Sequence, residues 1–349
     1  MLAITIPYWG QTIIKLGAVL VVIPVGGLLL GYMFLLKMMA HMQSRLGPMD
    51  PGGFHGWFQN IGDAVKFIQK EDIIPAKADK WVFSLAPYVV VTSTFLLYLV
   101  IPAGPDAVIS DLKVGVFYAL AVGSISVIGI LMAGWGSANK YSLMGSLRAA
   151  GQLIAYELPL VLAVVGVIIQ AQSMNLNDIV RAQESFQILG VSVGGIPFVL
   201  TQLVGFVIFM IAAQAELTQA PFDMPVAESE LVTGYMTEYS GFRFLSFFLG
   251  EVASAFALSA IAATLFLGGW YVPLPMKFLQ EYLPGDNAYN VAGPVILLVK
   301  ILFVSFLIFW FRFSYPRFRE DQLQTLAWKY LIPISIVNIM VTAVLKVVF

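Results

Sequence analysis

Apolar residues run in stretches long enough to cross a bilayer near 12–40, 81–101, 112–134, 148–171, 196–216, 244–271, 293–312 and 328–348. A hydrocarbon core of roughly 30 Å needs about 20 apolar residues in a helix. The pattern predicts an all-α integral membrane protein of about eight transmembrane helices joined by structured cytoplasmic loops. The first stretch would make roughly 43 Å of helix. It is expected to be strongly tilted, with Pro24, Gly26 and Gly27 as a kink site. No internal repeat is visible, and residues 1–349 read as one polytopic membrane domain without a separable soluble domain. The N-terminus has no basic stretch followed by a small-residue cleavage site, so no signal peptide is expected.

Between the stretches the pattern changes. In GWFQNIGDAVKFIQKED, Trp57, Ile61, Val65 and Ile68 share one helical stripe, with Asp63, Lys66 and Lys70 elsewhere. That spacing fits an amphipathic helix at the membrane interface, and equally a solvated helix packed on the protein's own loops. Residues 215–241, AELTQAPFDMPVAESELVTGYMTEYSG, gather Glu216, Asp223, Glu228, Glu230 and Glu238 in one connection. Pro221 and Pro225 prevent a simple helical continuation, and Asp223 reads as the N-cap of a short helix. Glu230, Gly234 and Glu238 would then share a stripe. Leu231, Tyr235, Met236, Tyr239 and Phe242 make the segment half apolar, so it is expected to lie against something.

Composition agrees with the membrane reading. Hydrophobic residues make up 59% and charged residues 11%, against about 25% charged in soluble domains. The net charge of −1 points to no nucleic acid. The absence of cysteine excludes thiolate-bound Fe–S clusters, cysteine zinc sites and thiol nucleophiles within this chain. Thirteen of the 19 Lys and Arg fall in 37–80, 135–148, 217–243 and 312–330. The positive-inside rule makes that side cytoplasmic and puts both termini outside.

Three charges interrupt the spans: Glu157, Glu251 and Lys300. Glu157 lies roughly 13 Å along the helix from Arg148, Glu251 about 12 Å from Arg243, and Lys300 roughly 18 Å from Arg312. Each costs about 2.5–3.5 kcal/mol on insertion scales. A structural reading pairs one glutamate with Lys300. A functional reading makes them a buried proton-handling chain, extended by the acidic connection, where crowded carboxylates hold some members protonated. His41 and His55 lack metal-ligand spacing and read as loop residues; no phosphate loop or Ser–His–Asp set is placed.

Several stretches converge on one family: RLGP at 45–48, DAVKFIQKEDIIPAKADKWVFSLAP at 63–87, GWGSANKYSLMGSLRAAGQLIAYELPL at 134–160, AELTQAPFD with AESELVTGYMTEYSGFRF at 215–244, and DQLQTLAWKYLIP at 321–333. The chain resembles the membrane subunit of respiratory complex I, the proton-pumping NADH–quinone oxidoreductase, that adjoins the peripheral arm. The resemblance implies a bacterial plasma-membrane protein with no redox centre of its own, in contact with peripheral Fe–S and quinone-site subunits and with small membrane subunits. It implies ubiquinone or menaquinone as substrate, in a chamber involving Arg45, Trp57, Phe222, Asp223 and Arg243. It implies proton coupling through Glu157, Glu216, Glu228, Glu230 and Glu238, to which the reading of charges inside the spans adds Glu251 and Lys300. Leu36, Asp50, Gln219 and Val226 stand where the family usually carries other polar or charged residues. The same acidic core also resembles subunits of membrane-bound [NiFe] hydrogenases and ferredoxin-linked dehydrogenases, while KEDIIPAKADKW and GWGSANKYSLMGSLRAA favour the quinone branch. A stand-alone secondary transporter with midplane charges is the reading from another class.

Overall fold

The computed structural model describes residues 9–10, 12–14, 16–17, 21, 31–185, 187–188, 191–192, 195–272 and 286–348. Its main helices are α1 (Gln59–Gln69), α2 (Lys80–Leu97), α3 (Gly115–Gly136), α4 (Lys140–Ala171), α5 (Leu176–Glu184), α6 (Leu203–Glu216), α7 (Gly241–Phe266), α8 (Asp286–Ser314) and α9 (Glu320–Val348). Among the described residues, α2, α3, α4, α7, α8 and α9 are long and apolar enough to cross a membrane. The first predicted span falls largely outside the described residues, with Pro24, Gly26, Gly27 and Lys15; Lys277 lies outside them too. From Gly31 to Met38 the chain is a wide π-helical turn. A two-residue antiparallel ladder pairs Gln187–Ile188 with Val191–Ser192.

The spans differ from the hydropathy pattern in two instructive ways. The α4 helix begins at Lys140, where the Asn139 side chain accepts from the Tyr141 amide, so Arg148 and Glu157 share one 32-residue helix. The fifth span, expected over 196–216, is helical only over 14 residues, roughly 21 Å. Residues 197–202 turn instead. Irregular backbone at membrane depth survives only where protein satisfies it. Here Phe198 N donates to Gln183 Oε1 at 3.0 Å, and Val199 N to Phe266 O at 2.8 Å. Gln202 then donates to Thr342 Oγ1 at 2.7 Å and accepts from Asn338 Nδ2 at 2.9 Å, tying α6 to α9.

The main core gathers Tyr156, Val164, Phe209, Phe266 and Phe309 from α4, α6, α7 and α8. A second core, with Phe83, Ala86, Tyr235, Tyr239 and Phe247, packs the half-apolar part of the acidic connection against α2 and α7. The Phe83 and Tyr239 rings stack 4.0 Å apart, and Tyr239 Oη donates to Phe83 O at 3.0 Å. Gly145 of α4 meets Gly234 of the connection so closely that a Cβ on Gly145 would lie 2.7 Å from the Gly234 Cα.

In α1 the predicted stripe stays outside: Trp57, Ile61, Val65 and Ile68 are exposed. The helix packs by another face, with Phe67 stacked on Phe244 at 5.6 Å. Of the stripe, only Trp57 meets the chain's own residues in a ring contact among those described, stacking on Tyr32.

Candidate functional site

The acidic connection leaves α6 at Glu216 and turns back under α4. Gln152 of α4 clasps it, its Nε2 donating to Ala215 O and Phe222 O, both at 2.8 Å. Phe222 sits between the rings of Tyr156, at 5.2 Å, and Phe318, at 5.5 Å. Phe318 N donates to Pro221 O at 3.0 Å, so the segment before α9 straps the connection from outside.

Two expectations about this segment change. Asp223 does not cap a helix. Ala227 occupies the N-cap of the short helix Glu228–Leu231, which has no side-chain cap bond. Asp223 instead accepts from Arg317 at 3.1 Å. Nor do Glu230, Gly234 and Glu238 form one helical stripe, because the helix stops at Leu231, and Val232 and Gly234 take positive φ values of 64° and 57°.

Arginines that hydropathy treats only as span ends organise the carboxylates. Arg148 donates to Glu230 at 2.5 Å and lies 3.9 Å from Glu320. Arg317 also reaches Ser229 Oγ at 3.3 Å. Arg312 donates to Glu251 at 3.0 Å, and Gln219 Nε2 reaches the same oxygen at 3.2 Å. The hydrogen bond from Arg148 holds the Glu230 carboxyl below its ordinary pKa. Burial pushes Asp223 the other way, above its ordinary value, against the opposing pull of Arg317. Glu228 lies with Asp223, Ser229, Glu230 and Arg317 around an open hollow. Glu238 stands apart, accepting from Asn139 Nδ2 at 2.5 Å.

Between the apolar helices, Glu157 and Glu216 line one cavity of about 40 Å³, otherwise walled mainly by apolar residues such as Leu97, Leu160, Phe209 and Leu258. Ser124 of α3 donates to Glu157. Glu216 Oε2 is buried with no hydrogen-bond partner among the described residues. The cavity is large enough for at least one water. Two carboxylates and a hydroxyl around such a space can pass a proton over short steps.

Other sequence-predicted residues lie elsewhere. Lys300 pairs with neither Glu157 nor Glu251; it donates to Gly269 O at 2.8 Å and Tyr271 O at 2.5 Å, past the far end of α7. Arg243 donates to Asp72 at 3.2 Å over the Phe83 ring. Arg45 is exposed and donates to Gln43 Oε1 at 2.8 Å. Trp57 stacks on Tyr32 at 4.4 Å in a hollow shared with Lys37, His41 and Met49. Ser124, Gln152, Arg312 and Arg317 have no signal in hydropathy as site members. Only hydrogen bonds and ion pairs made across the fold reveal them.

Comparison with known proteins follows the same line. The NADH dehydrogenase family matches residues 14–343. The H subunit of NADH-quinone oxidoreductase from Bacillus mycoides (strain KBAB4) is 44% identical over 342 residues, covering 98% of this chain and 95% of that protein. The proteins of the same name from Bacillus thuringiensis subsp. konkukian (strain 97-27) and Bacillus anthracis (strain CDC 684 / NRRL 3495) are each 43% identical over the same length, with the same coverage.

Proposed function

The chain belongs to the NADH dehydrogenase family as a membrane subunit of a proton-translocating NADH-quinone oxidoreductase, and we propose that its buried carboxylates couple quinone chemistry to proton movement. The observation that carries this reading is the shared cavity of Glu157 and Glu216. An acid pair at that depth costs several kcal/mol to insert, and neither member is matched there by a cation-bearing side chain lining the cavity.

The coupling begins at the cytoplasmic connection. Reduction of a quinone consumes two protons or leaves negative charge beside Asp223, Glu228 and Glu230. Asp223 and Glu230 are held by Arg317 and Arg148, so new charge nearby redistributes the pairs and their protons. Glu216 and Glu157 pass the change inward, and Glu251, restrained by Arg312, offers a branch along α7. Phe222, Asp223 and Arg243 are assigned to the chamber side, with Arg45 and Trp57 near its entrance. The quinone is a substrate carried in by an apolar tail. Peripheral subunits close the chamber from the cytoplasm, and both chain termini lie on the opposite side. Lys300 is reassigned from the path to the outer end of α7, where it meets carbonyl oxygens.

The test is a coupled measurement on the assembled complex in proteoliposomes. Glu157→Gln should lower proton pumping per quinone reduced while the complex still assembles. Wild-type pumping in that variant would remove Glu157 from the path.

A further inference from the structure

We propose that the hollow between the end of the first predicted span and helix α1 binds the phosphate group of a membrane phospholipid. The inference goes beyond the proton-coupling reading and does not depend on it. It assigns a ligand to a basic cluster that the buried carboxylates leave unused.

The hollow measures about 320 Å³, and Tyr32, Lys37, His41, His55 and Trp57 are among the residues that line it. Three of these five carry basic nitrogen, and no carboxylate among the described residues lines the space. Lys37 and His41 stand four residues apart on the helical run from Gly31 to Met42, close to one turn, and so share a face. The half-buried Lys37 ammonium donates to Pro48 O and, at 3.4 Å, to Leu46 O, and lies 3.3 Å from Met49 Sδ. It meets no carboxylate among the described residues. Asp63 of α1 is already taken by Lys66 at 3.1 Å. A cation held by carbonyl oxygens keeps its full charge, and this one borders a space with room for an anion, the partner with which its hydrogen bonds are strongest.

The walls are pinned from several sides. Tyr32 Oη donates to His55 O, and His55 holds a φ of 64°, uncommon for a residue with a side chain. A Cβ on Gly56 would lie 2.6 Å from Pro48 O, so the His55 loop and the turn that carries Pro48 close on each other. Trp57 stacks on Tyr32 at 4.4 Å, and it also begins the exposed stripe of Ile61, Val65 and Ile68 along α1. Basic groups at one end and apolar surface running away from them match an amphiphile, with its phosphate at Lys37 and the histidines and its acyl chains along the stripe. Tyr and Trp rings favour the headgroup level of a bilayer. A free phosphate would use only the basic half of this surface, and an acidic peptide would leave the stripe bare.

Electron microscopy of the intact complex, in phosphatidylglycerol nanodiscs and separately in lipid-free detergent with inorganic phosphate, tests the assignment. In nanodiscs a headgroup is expected within hydrogen-bond distance of Lys37 Nζ, with acyl density along the stripe from Trp57 to Ile68. An empty hollow, a quinone head, a segment of a neighbouring subunit, or inorganic phosphate bound where the lipid is not, would overturn the proposal. Native mass spectrometry of the complex titrated with short-chain phosphatidylglycerol gives a second measure. Lys37→Met should weaken the tightest lipid site by roughly tenfold or more, whereas Lys37→Arg, which keeps the charge, should retain most of the binding. Equal loss in both variants would show that the lysine serves only the Pro48 turn, and would sink the idea. The exposed His41 ring makes no hydrogen bond with the described residues, so His41→Gln should assemble normally and still bind this lipid more weakly. Wild-type lipid binding in His41→Gln and Lys37→Met alike would remove the basic cluster as a headgroup site.

Discussion

Arg312 donates to Glu251 across 3.0 Å, from the end of α8 to the first half of α7. Both side chains are mostly shielded, with 26% and 19% of their surface exposed. Removing the guanidinium leaves the carboxylate with the Gln219 amide alone among the described residues. Arg312→Met is therefore expected to destabilise the assembled protein by about 1–3 kcal/mol, and Arg312→Lys to recover part of it. Thermal unfolding of the purified complex reads both; an unchanged midpoint in the methionine variant would show the pair to be energetically idle.

Lys300 supports a contrasting expectation. Its ammonium meets two carbonyl oxygens and no carboxylate among the described residues. Lys300→Met should weaken the C-terminal end of α7 by about 1–3 kcal/mol while leaving protons pumped per quinone reduced near the wild-type ratio. A normally assembled complex with a collapsed ratio would return Lys300 to the path.

The Arg148–Glu230 pair sets a pH dependence. Glu230 has a folded pKa below its ordinary value. Its contribution is complete above the ordinary carboxylate pKa and disappears as pH falls through the lowered folded value. Glu230 is about half exposed, so solvent screens the pair and its worth is about 0.2–1 kcal/mol. The stability difference between wild type and Arg148→Met should shrink on acidification through that window; a difference that grows there would show the assignment of the pair to be wrong.

Gly234 gives the sharpest backbone test. Its φ is 57°, and a Cβ would lie 1.7 Å from Pro225 O. Gly234→Ala should displace the Glu228–Glu238 segment and cost on the order of 2 kcal/mol or more. Limited proteolysis within 226–240 should rise; unchanged cleavage would mean that the loop absorbs the methyl.

Apolar run length was enough to find the six span-capable helices among the described residues, because it reflects the thickness of the bilayer directly. The fifth span departs from that rule, since 197–200 are apolar yet lie outside the helix. Run length cannot see Gln183 and Phe266 satisfying that backbone from other helices. The site was half legible. Charges at membrane depth marked Glu157 and Glu251, and crowding marked the acidic connection. Their partners were hidden because Ser124, Arg312 and Arg317 are unremarkable in their own segments. They become site members only when α3 and α8, and the connection after α8, fold beside α4, α6 and α7. Asp223 shows the reverse failure: local turn chemistry predicted a cap, and a distant arginine won the carboxylate.

The strap over the acidic connection ties three contacts to one short stretch: Arg317 to Asp223, Phe318 N to Pro221 O, and the Phe318 ring to Phe222. That stretch runs straight into α9, whose membrane face is largely uncovered. Loop and helix α9 are thus tied mechanically: a displacement of the acidic connection would pull on a stiff rod that presents most of its surface to whatever lies beside it.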